Sequence, residues 1–466
     1  MEIRGLSADS RRVEPGFLFA ALPGSRTDGL SYLDEALKRG AVAVLVPEGT
    51  PQSAVPPSLA IIRATNPRRR FAELAARFYG RQPLCIAAVT GTNGKSSVVS
   101  FLRQIWAEEG LGAGSLGTLG LSAPDLDRPG SLTTPDPVAL HATLAELAAN
   151  GVDYLAMEAS SHGLDQHRLD GVAVTAAAFT NLTRDHLDYH GTLEAYFAAK
   201  VRLFSEVLRD DGVAVVNVDD PQAQRVLEVV GRRGLKRVTV GRAGEDVRLL
   251  AAEADDKGQR LRLRVSGVEM VTHVPLPGDF QVANALVAAG LAIATGVTAA
   301  RAVAALARLR PVPGRLERVA RVQGGTIYVD YAHTPDALAA ALAALRPLCC
   351  GRLWLVFGCG GDRDAGKRPE MGAIAAQRAD RIVITDDNPR SEPAAAIRAA
   401  ILAACPGAME IGDRRAAIAH AIAALAPGDV LLVAGKGHEG GQIVGAQVLP
   451  FDDRAVIAEL AQGRAA

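Results

Sequence analysis

The sequence predicts an α/β protein of three domains, and three observations predict it. A chain of 466 residues is longer than one hydrophobic core usually serves. From residue 85 onward short apolar runs alternate with helical stretches, as in a parallel sheet covered on both faces. The run Arg310-Pro311-Val312-Pro313-Gly314-Arg315 stops any helix and reads as a linker. The divisions expected are 1–83 for a small N-terminal α/β domain, 84–310 for a central parallel-sheet domain and 311–466 for a C-terminal α/β domain.

In chain order, the first domain should hold strands at 16–22 and 41–46 with a helix over 32–39 between them. The central domain should hold strands at 86–90, 154–158, 176–180, 213–217 and 237–240. An antiparallel pair, 247–254 with 260–265, decorates it, and helices over 284–294 and 299–309 close it. After the linker, strands are expected at 326–331, 352–358, 381–385 and 430–434, an arrangement that reads as Rossmann-like. No repeat of fixed period is present.

Composition narrows the function classes. Lys plus Arg equals Asp plus Glu at 51 each, so no global field recruits nucleic acid or an anionic membrane. The N-terminus has no signal-like segment and no apolar run is long enough to span a bilayer. Five scattered cysteines show no metal spacing and read as reduced thiols, so a cytoplasmic protein is expected.

The most informative segment is Thr90-Gly91-Thr92-Asn93-Gly94-Lys95-Ser96-Ser97, directly after the apolar run 84–89. A buried strand ending in a Gly-rich turn that opens a helix aims backbone N–H groups and the positive helix end at one point, which suits phosphate. Lys95 supplies charge for the terminal phosphates and the Ser96 hydroxyl can reach magnesium. The central domain is therefore expected to be P-loop ATPase-like, although Val89 stands where the usual spacing has glycine. Glu158 and His186 follow neighbouring strands and are candidate magnesium ligands, whereas Asp185 or Asp188 suits a helix cap.

Lys200 falls on the apolar stripe Leu193, Phe197, Phe204 and Val207 of a helix expected over about 193–208. Two readings stay open: a lysine snorkelling to water, or a buried amine of depressed pKa able to take up carbon dioxide as a carbamate.

In the last domain, Gly358-Cys359-Gly360-Gly361-Asp362-Arg363, Asp386-Asp387-Asn388-Pro389-Arg390 and Gly435-Lys436-Gly437-His438-Glu439 each follow the carboxyl end of a buried strand. Ligands bind at that edge of open α/β sheets. Cations mixed with a carboxylate suit a zwitterionic, amino-acid-like ligand. Arg315 at the hinge could reach phosphates and Asp330 could accept ribose hydroxyls; a surface ion pair or a turn would explain either equally well.

Together these segments resemble the Mur ligase family of ATP-dependent amide-bond-forming enzymes, over essentially the whole chain. The family's phosphate loop, Thr-Gly-Thr-Asn-Gly-Lys-Thr/Ser, accounts for Val89. Glu-Ala-Ser-Ser-His-Gly-Leu-Asp-Gln-His-Arg at 158–168 and Tyr-Ala-His-Thr-Pro at 331–335 resemble the branch that adds the third peptide residue to UDP-N-acetylmuramoyl-L-alanyl-D-glutamate. The resemblance implies that Ser10, Ser25, Arg26, Thr27, Thr133, Thr134, Ser160, Gln166 and Arg168 hold this UDP-muramoyl dipeptide. It implies that Gly91, Thr92, Asn93, Gly94, Lys95, Ser96 and Ser97 hold ATP, with Asn284, Arg315 and Asp330. Lys95, Glu158, His186 and Lys200 are the expected catalytic set. Ser96, Glu158, His186 and a carbamate on Lys200 are the expected magnesium ligands. Arg363, Asp387, Asn388, Pro389, Arg390, Gly435 and Glu439 would hold the incoming amino acid.

The form Asp-Asn-Pro-Arg is typical of enzymes adding meso-diaminopimelate, whose second carboxylate Arg390 can pair with. The implied activity is ATP-dependent addition of meso-diaminopimelate to the D-glutamyl γ-carboxylate through an acyl phosphate, by a monomer without nucleic-acid or membrane partners. Alternatives are the same ligation with L-lysine, a folylpolyglutamate-synthase-like ligase, and a non-catalytic ATP-binding protein. Two departures are expected to matter: a short N-terminus before the first strand, and Gly440-Gly441 where relatives often carry an acidic residue and an aromatic.

Overall fold

The computed structural model describes residues 2–24, 28–57, 59–130, 132–255 and 257–462. The expected substrate residues Ser25, Arg26 and Thr27 lie outside the described residues.

The N-terminal region is a four-stranded parallel sheet in sequential order, Gly5–Ser7, Phe17–Ala20, Ala43–Pro47 and Ala60–Ala64. The sequence reading found only the middle two strands. It also missed the helix Pro67–Tyr79, whose start is well marked: Asn66 accepts the Arg69 N–H and Pro67 occupies the first turn. The charged run Arg68-Arg69-Arg70 hides the stripe Phe71, Ala72 and Ala75 that this helix buries. The helix packs against Pro137–Ala149 of the central region.

The central sheet has eleven strands. Its parallel part runs Lys236–Gly241, Leu208–Asn217, Val174–Phe179, Cys85–Thr90, Tyr154–Glu158, Ala113–Gly117. Cys85–Thr90 is thus central, with every residue from Ile86 to Thr90 at 0% exposure. One face carries the helices Lys95–Glu108 and Asp279–Ala294, the other Pro137–Ala149, Leu193–Arg202 and Ala223–Arg232. At one edge Gly120–Ala123 and Leu126–Arg128 add antiparallel strands. At the other Val247–Asp255 pairs parallel with Lys236–Gly241, and the expected antiparallel pair is a trio, Val268–Val274 joining Val247–Asp255 and Gly258–Val265. Its outward Val268 and Val271 blurred the alternation on which the reading relied.

The helix carrying Lys200 differs from expectation. It ends at Arg202, continues as a π turn over Leu203–Val207, and strand Leu208–Asn217 follows at once. Phe197, Phe204 and Val207 are buried as expected, but Leu193 is exposed. Lys200 is 1% exposed and does not snorkel.

The C-terminal sheet runs Glu317–Val322, Gly325–Asp330, Val430–Ala434, Leu353–Phe357, Arg381–Ile384, Met409–Glu410, and all but the first strand are parallel. The four strand ends at 330, 357, 384 and 434 therefore sit side by side. Beyond them a hairpin, Gly441–Val444 with Gln447–Pro450, begins at the glycine pair singled out above. Among the described residues no helix is long and apolar enough to cross a membrane.

The C-terminal region faces the central one across charged contacts. Arg184 holds Asp364 at 3.0 Å and Glu370 at 2.7 Å, while its neighbour Asp185 lies 3.7 Å from His333.

Candidate active site

The phosphate loop follows from its glycines and from the next strand. Gly91 has φ +150° and Gly94 φ +89°; a Cβ on Gly91 would collide with Thr180 Oγ1, and one on Gly94 with Asn284 Oδ1. Thr92 N–H donates to Asn181 O and Asn93 N–H to Asn181 Oδ1, both at 2.9 Å, while Thr180 Oγ1 donates to Asn93 O at 2.7 Å. The loop is pinned to the end of strand Val174–Phe179. Lys95 Nζ donates to Gly91 O at 3.0 Å and Thr92 O at 2.8 Å, and Lys200 Nζ donates to Gly91 O at 2.7 Å. Burial pushes the Lys95 ammonium pKa down against the pull of Glu158 and Asp185. Burial and the charge of Lys95 push Lys200 well below its ordinary value. Lys200 also sits 4.1 Å over the Tyr196 ring.

Glu158 ends its strand 2% exposed. Its Oε1 accepts the Thr118 N–H at 2.8 Å and Oε2 the Thr118 hydroxyl at 3.1 Å. The Ser96 hydroxyl accepts from Arg315 Nη2 at 3.0 Å. Glu158, Ser96, His186 and Lys200 all line one cavity of about 380 Å³ with the phosphate loop. Among the described residues no three His, Cys, Asp or Glu side chains form a metal cage. That donor set fits magnesium, which takes one or two protein oxygens and leaves its other positions to water and phosphate. Ser96 and Glu158 are such oxygens; the imidazole of His186 is a poorer match for so hard a cation.

His186 takes a left-handed backbone with φ +54° and stacks edge-on to His162, ring centres 4.9 Å apart. Burial, helped by His162, Lys95 and Lys200 and opposed by Asp185, pushes its pKa down to about 3. Asp185 is a residue for which the sequence offered, as for Asp188, a helix cap. It lines the cavity instead, and although burial opposes it, His333, His186 and Lys367 hold its carboxyl far below the usual range.

On one side of this centre Thr133, Thr134, Ser160, Gln166 and Arg168 form a continuous network. Thr133 and Thr118 hydroxyls meet at 2.9 Å; Thr134 Oγ1 donates to Glu158 O and accepts the Ser160 N–H; Arg168 bonds Thr134 O and Gln166 Oε1. Ser10 is apart from it, its hydroxyl donating to Glu35 within the N-terminal sheet domain. On the other side are Asn284, Arg315 and Asp330. The Arg315 guanidinium lies 4.2 Å over the Tyr331 ring. Asp330 Oδ2 and Oδ1 accept the N–H groups of Leu316 and Ala332, at 2.6 and 2.8 Å, so this carboxylate braces the linker as it faces the cavity.

The third cluster stands where the C-terminal strand ends meet. Asn388 Oδ1 accepts from Lys436 Nζ and Ile443 N–H, both at 2.9 Å, which turns its Nδ2 to Glu439 at 2.8 Å. Lys436, one of the cations the strand-end loops offered in sequence, is fully buried, and a lysine in a Gly-rich loop gives no sign of that burial. It offsets the burial of Glu439 and holds that carboxyl below its ordinary pKa. Asp387 packs on Gly435, whose φ is +112° and where a Cβ would meet the carboxylate. Arg390 Nη1 donates to Gly361 O at 2.9 Å, spanning two of the loops around the buried Pro389. Arg363 is exposed at the rim and, among the described residues, bonds only Asp362 O.

Three family models cover the chain: "Mur ligase family, catalytic domain" over 2–79, "Mur ligase middle domain" over 89–292 and "Mur ligase, glutamate ligase domain" over 314–437. A protein of Bradyrhizobium diazoefficiens, named UDP-N-acetylmuramoyl-L-alanyl-D-glutamate--2,6-diaminopimelate ligase, is 54% identical over 100% of this chain and 96% of its own. A Rhizobium meliloti protein of the same name is 54% identical over 98% of this chain and 94% of its own. A solved structure of a ligase so named superposes with a TM-score of 0.71 at 34% identity, covering 100% of this chain and 96% of that one. The phosphate loop, the paired lysines and the three strand-end loops therefore sit in a chain that belongs to the Mur ligase family.

Proposed function

We propose that the protein is the ATP-dependent ligase that adds meso-diaminopimelate to the γ-carboxylate of D-glutamate in UDP-N-acetylmuramoyl-L-alanyl-D-glutamate. The observation that carries this reading is full-length identity of 50–54% to several ligases of that name. A pocket with both an arginine fork and buried carboxylates supports the choice of amino acid.

In this reading the γ-carboxylate takes the terminal phosphoryl group of ATP, giving an acyl phosphate and ADP. The amine then attacks the acyl carbon, phosphate leaves, and one proton is released. Gly91 to Ser97 bind the phosphates, and Lys95 leaves its loop carbonyls to neutralise charge as it shifts. Asn284 and Arg315 hold the nucleotide, with Asp330 keeping the linker in place. Thr133, Thr134, Ser160, Gln166 and Arg168 orient the muramoyl peptide. Asp387, Asn388, Arg390, Gly435 and Glu439 bind the amino acid, with Arg363 at the entrance. Ser96 and Glu158, beside His186, would hold magnesium, which would supply charge neutralisation at the phosphates. The neutral amine of Lys200 takes up carbon dioxide, losing a proton, and the resulting carbamate adds a negative oxygen group to that site. Linker movement brings the amino acid to the acyl phosphate and excludes water. In this reading the enzyme works in the cytoplasm and as a monomer.

The test is phosphate release from ATP with the UDP-linked dipeptide and, in turn, meso-diaminopimelate, L-lysine or no amine. Turnover with meso-diaminopimelate alone is expected; turnover with lysine alone would overturn the specificity, and none with any amine would overturn the reaction.

A further inference from the structure

Beneath the amino-acid loops lies an ion pair whose two side chains are both fully buried. Arg414 opens helix Arg414–Ala423 and Asp453 opens the last helix, Asp453–Gln462. Arg414 Nε and Nη2 donate to the two carboxylate oxygens of Asp453 at 2.8 and 2.7 Å, the two-pronged geometry that a guanidinium makes and an ammonium does not. The same guanidinium has two further acceptors. Nη2 donates to Ala434 O at 3.0 Å, and Nη1 reaches Asp386 O at 3.4 Å. Those carbonyls belong to the residues just before Gly435 and Asp387. One side chain therefore ties together the roots of two of the three loops around the amino-acid pocket.

A pair this deeply buried is a weak source of stability, because an apolar pair of equal volume serves a core as well or better. The two carbonyl contacts are what an apolar pair could not replace. They bear on Asp387, which is 7% exposed and whose carboxylate accepts no protein hydrogen bond among the described residues. Its place is set by close packing on Gly435 and by the charges of Arg414 and Lys436. A shift of either strand end moves Asp387 against Gly435 and disturbs the Asn388–Lys436–Glu439 chain next to it.

We propose that Arg414, anchored by Asp453 of the last helix, is a positioning residue for the amino-acid substrate, holding loops 386–390 and 435–439 in register. The inference rests on the amino-acid pocket proposed above. It makes the last helix part of the pocket's support, although no residue of that helix needs to touch substrate.

The test uses the full chain with each of the three substrates varied in turn. Arg414→Lys keeps the charge and loses the fork. The double variant Arg414→Met with Asp453→Leu keeps a filled core and loses both carbonyl contacts. In both, the KM for meso-diaminopimelate should rise about tenfold or more, as expected for losing charged hydrogen bonds. The KM values for ATP and the UDP-linked dipeptide should stay within about twofold. A purely structural role would lower the active fraction and the melting temperature and leave the amine KM unchanged; that outcome, or an equal rise in all three KM values, overturns the proposal. A double variant that fails to fold also overturns it, by making the pair a folding element. Hydrogen exchange keeps the inference separate from the reaction. If the wild type turned over no amine, faster exchange at 386–390 and 435–439 in the variants would still support the positioning role, and unchanged exchange would end it.

Discussion

The ammonium groups of Lys95 and Lys200 converge on a single acceptor, the carbonyl oxygen of Gly91, at 3.0 and 2.7 Å. Burial first, and then the charge of Lys95 on the same oxygen, make a proton on Lys200 bind weakly and hold it well below its ordinary pKa. A neutral amine is what carbon dioxide requires. Lys200→Ala should therefore lower turnover by about a hundredfold or more, in the range of other single electrostatic deletions. Added formate or acetate should restore part of it by standing in for the carbamate. Steady-state phosphate release measures both effects, and full activity without added carboxylate would end the carbamate reading.

Arg315 joins the linker to the phosphate loop through Ser96 and rests on Tyr331. Its Nη1 is buried with no partner among the described residues, an arrangement suited to an incoming phosphate oxygen. Magnesium on Ser96 would need that hydroxyl's lone pair, so Arg315 should exchange Ser96 for phosphate when nucleotide binds. Arg315→Met is expected to raise the KM for ATP about tenfold or more while sparing that for meso-diaminopimelate. Equal effects on the two would argue that Arg315 only holds the linker.

Which parts of this site were legible in the sequence follows from how each residue gets its neighbours. Gly91 to Ser97, Glu158 and the three C-terminal loops all end buried strands, and a strand end in a parallel sheet announces its position through local pattern alone. Lys200 was legible as an anomaly on an apolar stripe, but its partner Gly91 O is 109 residues away and no spacing predicts that contact. Asp185 was lost because Asp before a short helix is ordinary capping chemistry, and only the approach of His333 from the next domain shows otherwise. Arg414 was invisible for a related reason. An Asp-Arg-Arg run at a helix start reads as solvated charge until the last helix folds over it and supplies Asp453.

His438 provides a pH test that does not depend on turnover. Burial first, and then Arg315, push its pKa down to about 4, and its Nδ1 has no partner among the described residues. The unfolded chain takes up this proton near the ordinary 6.5 and the folded protein only near 4. The unfolded state thus binds more protons within that window, and stability must fall as pH drops through it. His141, His162 and His190 are shifted in the same direction by burial. The melting temperature should decline from pH 6.5 toward 4, and His438→Gln should make that decline shallower. An identical decline in the variant would mean that His438 is protonated as readily in the fold as outside it.

Arg390 bears on which amino acid is taken. Its backbone has φ +51°, its N–H donates to Ile443 O of the terminal hairpin, and its Nη1 is spent on Gly361 O. Among the described residues Nε and Nη2 have no protein partner, which leaves one edge of the fork for a carboxylate. Lysine would place an ammonium there instead. Arg390→Ala should weaken meso-diaminopimelate by about 1.5–3 kcal/mol, as for other charged hydrogen bonds, and lessen the repulsion that excludes lysine. The ratio of kcat/KM for the two amines should then narrow by about a hundredfold. Arg390→Lys should fall between, since it keeps the charge without the fork. If the ratio stays put in both variants, selection lies elsewhere, and the hairpin that begins at Gly441 and meets Arg390 through Ile443 becomes the place to look.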